Sequence, residues 1–354
     1  MKYIGKIKGG RDVNIGVCSP NNHLVITGVS GSGKSVRILD IEEHIVENGD
    51  TIIALDVNGT HEENKEMYCF NHISAQKDGL DMKILDMSLI NEGRETRMNF
   101  IEYLMETLCP KQLRGACQLA SVRRAIEFAI RYREKFSTDM EAIACGLKEQ
   151  EDSAALGAYN HLCPILEGNI FRDSEKRILE HKVNVISLKG LNPKTQKRVV
   201  EIVLNVLWRQ IRIEGSSGHR FTLVMDEFQN LDFSQTSVLF QMLTEARKYG
   251  VDLILATQTL AIFSKKELAV INQAATKLFF QQSAADLKKI ADLIGSDDRE
   301  KWISMLSRLR IGRAIAVGEL EVGGRRLHQP IVTSSVYQKS NFEVEMIWGG
   351  SKDA

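Results

Sequence analysis

The sequence predicts an α/β fold built on a mostly parallel sheet with helices on both faces. Seven short runs rich in β-branched residues alternate with longer helical patterns along the chain. Several of these runs are apolar at nearly every position, which is typical of strands that are covered on both sides. The predicted strands are HLVIT (23–27), TIIALD (51–56), VNVISL (183–188), FTLVMD (221–226), VDLILAT (251–257), KLFFQQ (277–282) and RAIAVG (313–318).

Helical patterns separate the predicted strands, for example at 34–48 and 195–213. Repeated strand–helix–strand order favours a doubly wound arrangement. The segment 99–172 breaks this order, because it has helical patterns throughout. We therefore expect a core whose N-terminal part is 1–98 and whose C-terminal part is 173–354, interrupted by a helical insertion.

The charge and the metal-binding residue types exclude several classes of protein. Lys plus Arg equals Asp plus Glu at 46 each, so the chain has no formal net charge. This disfavours a surface that binds nucleic acid everywhere, and it leaves a local basic patch or a basic pore open. The six cysteines form no CxxC pair, and His61-Glu62-Glu63 does not fit the HExxH pattern of zinc proteases.

Cellular location is predicted from the apolar runs and the cysteines. The N-terminus MKYIGKIKGGRDV lacks the apolar region of a signal peptide. The longest apolar runs are shorter than the roughly 20 residues that a membrane helix needs. Cysteines without a disulfide-like pattern fit a reducing compartment. We expect a cytoplasmic protein with no integral membrane segment.

The segment GVSGSGKS at 28–35 fits the P-loop pattern GxxxxGK[ST]. It lies between a predicted strand and a predicted helix, the context that such a loop requires, which disfavours a glycine turn capping an unrelated helix. Lys34 is expected to reach the terminal phosphate of ATP, and the Ser35 hydroxyl to bind Mg²⁺. The residues predicted to bind the nucleotide are Gly28, Ser30, Gly31, Ser32, Gly33, Lys34, Ser35 and Val36.

The segment FTLVMDEFQNL at 221–231 has the form of a Walker B strand, an apolar run that ends in two acids. Asp226 is expected to hold Mg²⁺, and Glu227 to polarise the attacking water. The alternative is an acidic pair that caps the following helix. Because a P-loop precedes it in the chain, the segment predicts ATP hydrolysis, and no metal beyond the nucleotide's Mg²⁺ is assigned.

The segment EARKYGVDLILATQT at 245–259 leads from a basic helix end to a strand with a polar tip. Gln258 could sense the γ-phosphate of ATP, or its amide could be satisfied by loop backbone. Arg247 could be an arginine finger delivered to the ATP of a neighbouring subunit. The alternative is an ordinary basic helix end that complements the helix dipole.

Basic residues cluster at the start of the predicted insertion, with two acids among them and a net charge of +5 between residues 111 and 135. The cluster could contact a phosphate backbone. A solvated helix face with pairs such as Arg123–Glu127 is favoured over that reading. The seven basic residues are Lys111, Arg114, Arg123, Arg124, Arg131, Arg133 and Lys135.

Four stretches together resemble the HerA/FtsK-type pumping ATPases, which include conjugative coupling proteins and helicase-like HerA proteins. The stretches are HLVITGVSGSGKS, TIIALDVNG, LVMDEFQNL and EARKYGVDLILATQT. The last of them discriminates most sharply, because kinases and small GTPases lack it. The resemblance covers about 20–60 and 180–320, roughly half of the chain.

The resemblance implies a RecA-like core that assembles as a homo-hexameric ring with ATP between subunits. Arg247 then matches the arginine supplied in trans, Gln258 the γ-phosphate sensor and Glu227 the catalytic acid. Asp56 falls where many relatives carry an aspartate at a strand tip. Members of the family move DNA, or occasionally protein, through the central pore.

Two functions follow as expectations. The first is a ring-forming ATPase that couples ATP hydrolysis to translocation of DNA, and the size suits a role in mobile-element transfer or phage defence by analogy. The second is a regulatory or assembly ATPase that acts on a protein partner without translocating DNA. A co-encoded nuclease, relaxase or other effector is the expected partner.

Overall fold

The computed structural model describes residues 2–62, 70–109, 113, 115–172, 174, 176, 178, 182–214, 221–234 and 237–335. The chain divides into two compact units. The first comprises Met1–Phe70, His181–Val185 and Gly215–Ala354, and the second comprises Asn71–Glu180 and Ile186–Glu214. The expected helical insertion at 99–172 lies within the chain segment Asn71–Glu180 of the second unit.

Thirteen strands are found in the described part of the chain. In chain order they are β1 (Lys2–Lys6), β2 (Asp12–Ile15), β3 (Leu24–Thr27), β4 (Thr51–Asp56), β5 (Asn71–Ser74), β6 (Val183–Ser187), β7 (Phe221–Met225), β8 (Val251–Thr257), β9 (Thr276–Phe279), β10 (Arg313–Val317), β11 (Leu320–Val322), β12 (Arg325–Leu327) and β13 (Ile331–Ser334).

The same part of the chain contains eleven α-helices. They are α1 (Lys34–Glu47), α2 (Ser88–Asn91), α3 (Arg97–Leu108), α4 (Ala116–Tyr132), α5 (Asp139–Lys148), α6 (Ser153–Leu166), α7 (Pro193–Glu214), α8 (Val238–Glu245), α9 (Lys265–Ile271), α10 (Ala284–Ile294) and α11 (Arg299–Ser307). None of these helices has both the length and the apolar composition needed to cross a membrane.

The centre of the first unit is a parallel sheet, and this confirms the α/β P-loop fold class. Strand β3 lies between β8 and β9, and β7 lies between β8 and β4, all in parallel register. Every residue of β3 is buried, as its uniformly apolar sequence predicts. Since the strands are parallel, β3, β4, β7 and β8 all end at one edge of the sheet, which we call the carboxyl edge.

An antiparallel extension continues the sheet beyond β9. Strand β10 pairs with β9 and β13, β1 pairs with β13 and β2, and β11 pairs with β2 and β12. Of the strands beyond β9, only β10 was predicted from the sequence. Arg37 of α1 is fully buried beneath it, and its guanidinium donates to oxygens of Ile4, Gly312, Thr333 and Ser335.

The second unit is mainly helical. Helix α4 packs against α3, α5 and α6, because its buried residues recur at helical spacing from Ser121 to Ile130. Three helix N-termini are capped by side chains that accept a backbone N–H: Thr96 for α3, Thr138 for α5 and Asp152 for α6. Such caps satisfy backbone donors that have no partner within the helix.

Candidate functional site

The loop at 28–33 joins β3 to α1 at the carboxyl edge. Gly31 and Gly33 have φ angles of 76° and 100°, which residues with a Cβ rarely adopt. A Cβ on Gly28 would lie only 2.6 Å from the Cβ of Phe280. The glycines are therefore required both by the backbone conformation and by the close approach of a neighbouring strand end.

Lys34 is the first residue of α1, and its ammonium group is folded back onto the loop. Its Nζ donates to the carbonyl oxygens of Gly28 and Val29, at 2.7 Å and 3.2 Å. Burial lowers the pKa of Lys34, and the carboxylates of Asp226 and Glu227 act in the opposite direction. The buried Ser32 hydroxyl has no hydrogen-bond partner among the described residues. A cation and an unused hydroxyl thus lie at a helix N-terminus, where an anion is favoured.

Ser35 and Val36 continue the first turn of α1 and are half-buried, while Ser30 is exposed at the tip of the loop. Ser35 and Asp226 both line one small pocket that is partly open to solvent. The other residues that line this pocket are Ile38, Leu39, Leu55, Asp56, Thr60, His61 and Val224. The hydroxyl and the carboxylate predicted to bind Mg²⁺ therefore face one space.

Asp226 directly follows β7 and is half-buried, beside the charged groups of Lys34 and Glu227. Burial raises the pKa of Asp226 to about 6, the neighbouring Glu227 carboxylate acts in the same direction, and Lys34 opposes both. Oxygen ligands of this type suit Mg²⁺, and a divalent cation would relieve the repulsion between the two carboxylates.

Glu227 has a left-handed backbone, with a φ of 56°, and its carboxylate is held by three side-chain amides. Gln258 donates to Oε1 at 2.6 Å, and Asn58 donates to the same oxygen at 3.4 Å. Gln229 donates to Oε2. We call these three residues the amide cage, since they fix the direction in which the carboxylate points.

Gln258 follows β8, whose last residue Thr257 is in register with Thr27 at the end of β3. The chain direction therefore brings Gln258 to the level of the P-loop. Its amide contacts Glu227, and the Thr257 hydroxyl donates to Gln229 of the amide cage at 2.7 Å. The role of Gln258 as a γ-phosphate sensor stays a prediction.

Arg247 lies at the opposite edge of the sheet from the P-loop. It is in the 3₁₀ turn Ala246–Tyr249 that precedes β8, and its exposed guanidinium donates to the Pro20 carbonyl oxygen. Strand β8 has seven residues, so at about 3.3 Å per residue it separates the two edges by roughly 20 Å. An arginine side chain cannot span that distance, and Arg247 therefore cannot reach the P-loop of its own chain.

Three buried residues, of which only Asp56 was singled out from the sequence, form a charged cluster at the pocket. His61 Nε2 is 3.0 Å and 3.1 Å from the two carboxylate oxygens of Glu42, and His61 Nδ1 is 3.5 Å from Asp56 Oδ2. Burial acts to lower the pKa of His61, but the carboxylates of Glu42 and Asp56 outweigh it and raise the pKa to about 10. We call Glu42, His61 and Asp56 the histidine clamp.

The clamp predicts a pH-dependent stability. His61→Gln is expected to destabilise the protein most at pH values below 6.5 and progressively less toward pH 10. The raised pKa means that the charged imidazole stabilises the fold fully below its ordinary pKa of 6.5, and that this contribution is lost as pH rises through about 10. Removing one partner of a buried ion pair costs roughly 3–5 kcal/mol. The loss of unfolding free energy in His61→Gln is expected not to exceed this range.

Urea unfolding of wild type and His61→Gln between about pH 6 and about pH 10 measures this difference. His44→Gln is the matched control, because His44 lies on α1 near Glu42 and contacts the Asp40 carbonyl instead of a carboxylate. A difference in unfolding free energy that does not change with pH would contradict the charged state of His61.

The basic cluster of the sequence analysis forms ion pairs within the second unit. Arg123 pairs with Glu102, instead of Glu127, Arg124 with Asp152, and Arg133 with Asp139. Lys135 lies over the Tyr132 ring. Lys111 and Arg114 lie outside the described residues. The paired arginines favour the structural role over a phosphate-binding role.

The missed residues carried weak signals in the sequence. His61-Glu62-Glu63 drew attention only as a failed zinc pattern, and Glu42 reads as an ordinary acid in an amphipathic helix. Asn58-Gly59 after a buried strand does indicate a turn. The pairing of that turn with Glu227 depends on two strands, β4 and β7, whose adjacency the sequence does not give.

Comparison with known proteins gives matches along nearly all of the chain. A family model described as the central domain of the helicase HerA matches residues 3–207, more than half of the chain. A second model, the DNA-binding domain of type IV secretion-system coupling proteins, matches residues 172–339.

The curated relatives are DNA double-strand break repair helicases named HerA. The protein of Sulfolobus acidocaldarius is 23% identical over 340 residues, and that of Saccharolobus solfataricus is 22% identical over 339 residues. Each match covers 90% of this chain. The chain spans 66% of the length of these relatives.

Solved structures share the fold. VirB4 of Thermoanaerobacter pseudethanolicus has a TM-score of 0.72 at 16% identity, covering 96% of this chain and 97% of that one. The bacterial conjugative coupling protein TrwB has a TM-score of 0.68 at 13% identity, covering 94% and 90%. At this identity the likeness concerns the fold alone. The match to the family model over residues 3–207 nevertheless identifies the chain as a member of the HerA helicase central-domain family.

Proposed function

We propose that this protein is an ATPase that couples the hydrolysis of Mg²⁺-bound ATP to the movement of DNA, as a ring of identical subunits. The observation that carries the proposal is the convergence at the carboxyl edge of Lys34, Ser35, Asp226, Glu227 and Gln258. These residues come from three separate parts of the chain, and each has a distinct task in phosphoryl transfer to water.

The residues present fit ATP and Mg²⁺. The P-loop offers a buried lysine and a Ser32 hydroxyl with no hydrogen-bond partner among the described residues. It also has two glycines, Gly28 and Gly33, whose Cβ positions are blocked. Gly28, Ser30, Gly31, Ser32, Gly33, Lys34, Ser35 and Val36 would hold the nucleotide. Ser35 and Asp226 would hold Mg²⁺, which supplies positive charge to the phosphate oxygens. A related TrwB structure was solved with an ATP analogue and another with ADP and Mg²⁺.

Glu227 would orient and polarise the attacking water. Hydrolysis at P-loop sites depends mainly on position and charge, so the carboxylate must point in one direction. The amide cage meets this need, since Asn58, Gln229 and Gln258 all donate to Glu227. Gln258 also stands at the level of the P-loop, where it could respond to the γ-phosphate.

The position of Arg247 supports a ring. Its guanidinium is exposed at the edge of the sheet away from the P-loop of its own chain, so it would complete the site of the next subunit. A hexamer is the ring size that the family resemblance implies. Ring closure of identical subunits needs a head-to-tail interface, which brings opposite edges together.

DNA as the cargo is supported by the relatives. The curated relatives are named DNA repair helicases, and the second family model describes a DNA-binding domain. In the cytoplasm, a co-encoded nuclease, relaxase or other effector would use the motor, with mobile-element transfer or phage defence as the setting. Regulation of a protein partner without DNA is the competing outcome of the following test.

ATP hydrolysis is expected to rise severalfold when double-stranded DNA is added, and to vanish in Lys34→Ala or when Mg²⁺ is removed with EDTA. Bound DNA is expected to accelerate the conformational or product-release step that limits ATP hydrolysis when DNA is absent. Phosphate release at fixed enzyme and varied DNA measures the effect. Lys288→Ala is the control, because Lys288 is an exposed lysine on α10, outside the P-loop. Hydrolysis that ignores DNA and rises with a co-encoded protein would support the regulatory function instead.

A further inference from the structure

The histidine clamp connects the P-loop helix to the turn that follows β4. Glu42 lies on α1 two helical turns beyond Ser35, and both of its carboxylate oxygens are within 3.1 Å of His61 Nε2. His61 in turn lies against Asp56, the last residue of β4. All three side chains are buried. Charged contacts therefore link α1 to Asp56 at the end of β4.

Asp56 shapes the backbone of the turn. Its carboxylate accepts the backbone N–H groups of Gly59, Thr60 and His61, at 2.8, 3.1 and 3.0 Å. Three such bonds to one carboxylate fix the conformation of residues 57–60. Asn58 is exposed at the tip of this turn, and its amide donates to Glu227 Oε1 at 3.4 Å, a longer contact than the 2.6 Å from Gln258 to the same oxygen.

Stability alone does not account for the clamp. Burying charged groups is costly, and apolar side chains of similar volume often stabilise a core as well or better. A buried polar cluster is better suited to holding one geometry. Here the geometry that it holds is the turn of Asn58, beside the pocket that Ser35 and Asp226 line.

We propose that the histidine clamp positions Glu227 for ATP hydrolysis: Glu42 and His61 hold the Asp56 turn so that Asn58 fixes the carboxylate that orients the attacking water. The clamp residues and Asn58 do not touch the nucleotide in this scheme, so they are positioning residues. The inference rests on the proposed ATPase function.

The test is a double-mutant cycle on hydrolysis with Asn58→Ala and His61→Gln. Each single variant is expected to lower kcat roughly tenfold to a hundredfold, because a carboxylate displaced by about 1 Å loses much of its effect. The KM for ATP should stay within about twofold, since the P-loop is unchanged. The double variant should be no slower than the slower single variant, because both changes break the same chain of contacts.

Controls separate positioning from loss of structure. Activity is expressed per binding site, counted by titration with a non-hydrolysable ATP analogue. His44→Gln, which changes a residue of α1 outside the histidine clamp, should keep the wild-type kcat. If His61→Gln does not fold, Glu42→Gln takes its place in the cycle, because a glutamine keeps the size of the side chain and an oxygen near His61.

Three outcomes decide the inference. Coupled loss of kcat at unchanged KM supports it. A wild-type kcat in Asn58→Ala overturns it, and so do effects that multiply in the double variant, which indicate that His61 acts through overall stability. Absence of hydrolysis in the wild-type protein, with or without DNA, contradicts the proposed function itself and removes the reaction that the clamp would serve.

Discussion

Replacing Glu227 with glutamine is expected to lower kcat for ATP hydrolysis by about 10²–10⁴ while leaving nucleotide binding near the wild-type level. Glutamine keeps the size of the side chain, and its carbonyl oxygen can still accept from the amide cage. It lacks the negative charge that polarises water. Steady-state phosphate release gives kcat, and titration with a fluorescent ATP analogue gives binding.

Glu300→Gln is the matched control, because Glu300 is an exposed acid on α11. It should hydrolyse ATP at the wild-type rate. Full activity in Glu227→Gln would remove this residue from the mechanism. Loss of binding together with loss of kcat would indicate that the change had disturbed the P-loop and not only the water.

Replacing Arg247 with alanine is expected to lower kcat by about 10³ or more, the range found for arginine fingers. The residue is exposed and its hydrogen bond goes to the Pro20 carbonyl, so the fold should tolerate the change. Binding of ATP by the P-loop of the same chain should persist, because Arg247 lies at the opposite edge of the sheet.

Lys248→Ala is the control for charge at the same turn, since Lys248 is the exposed neighbour of Arg247. It should reduce hydrolysis little. If Arg247→Ala hydrolyses ATP normally as an oligomer, the assignment of a shared site is wrong.

The parallel centre of the fold could be predicted from sequence with nearly correct bounds. The strands predicted at 51–56 and 251–257 have the same bounds as β4 and β8, and the helix predicted at 34–48 is α1 (Lys34–Glu47). Strands buried on both faces are uniformly apolar, so they contrast sharply with the helices between them. The glycine-rich loop then fixes where the first strand ends.

The antiparallel extension could not be predicted in the same way. Strands β1, β2, β11, β12 and β13 have three to five residues each, too few for a clear alternating pattern. They are formed by pairing between the two ends of the described chain. Arg37 illustrates the difficulty: it looks like a surface residue of α1, but it is fully buried by partners about 30 to 300 residues away.

The residues of the candidate site fall into the same two groups: those that a local sequence pattern predicts and those that depend on contacts between distant segments. Residues that follow a strong strand signal, such as Asp226 and Gln258, were identified because the end of a parallel strand is where such sites form. The proposed positioning role of Asn58, His61 and Glu42 depends on contacts that link them to one another and to Glu227. Their contacts depend on the neighbouring strands β4 and β7 and on one face of α1, which no local pattern records.

The central claim is that each ATP site is completed by a neighbouring subunit, and mixing two inactive variants tests it most directly. Glu227→Gln subunits keep Arg247, and Arg247→Ala subunits keep Glu227. In an equal random mixture, about a quarter of the interfaces join an intact Glu227 to an intact Arg247. The account predicts that hydrolysis reappears in the mixture at a substantial fraction of the wild-type rate. Mixed oligomers that form and stay as inactive as the two separate variants would contradict it.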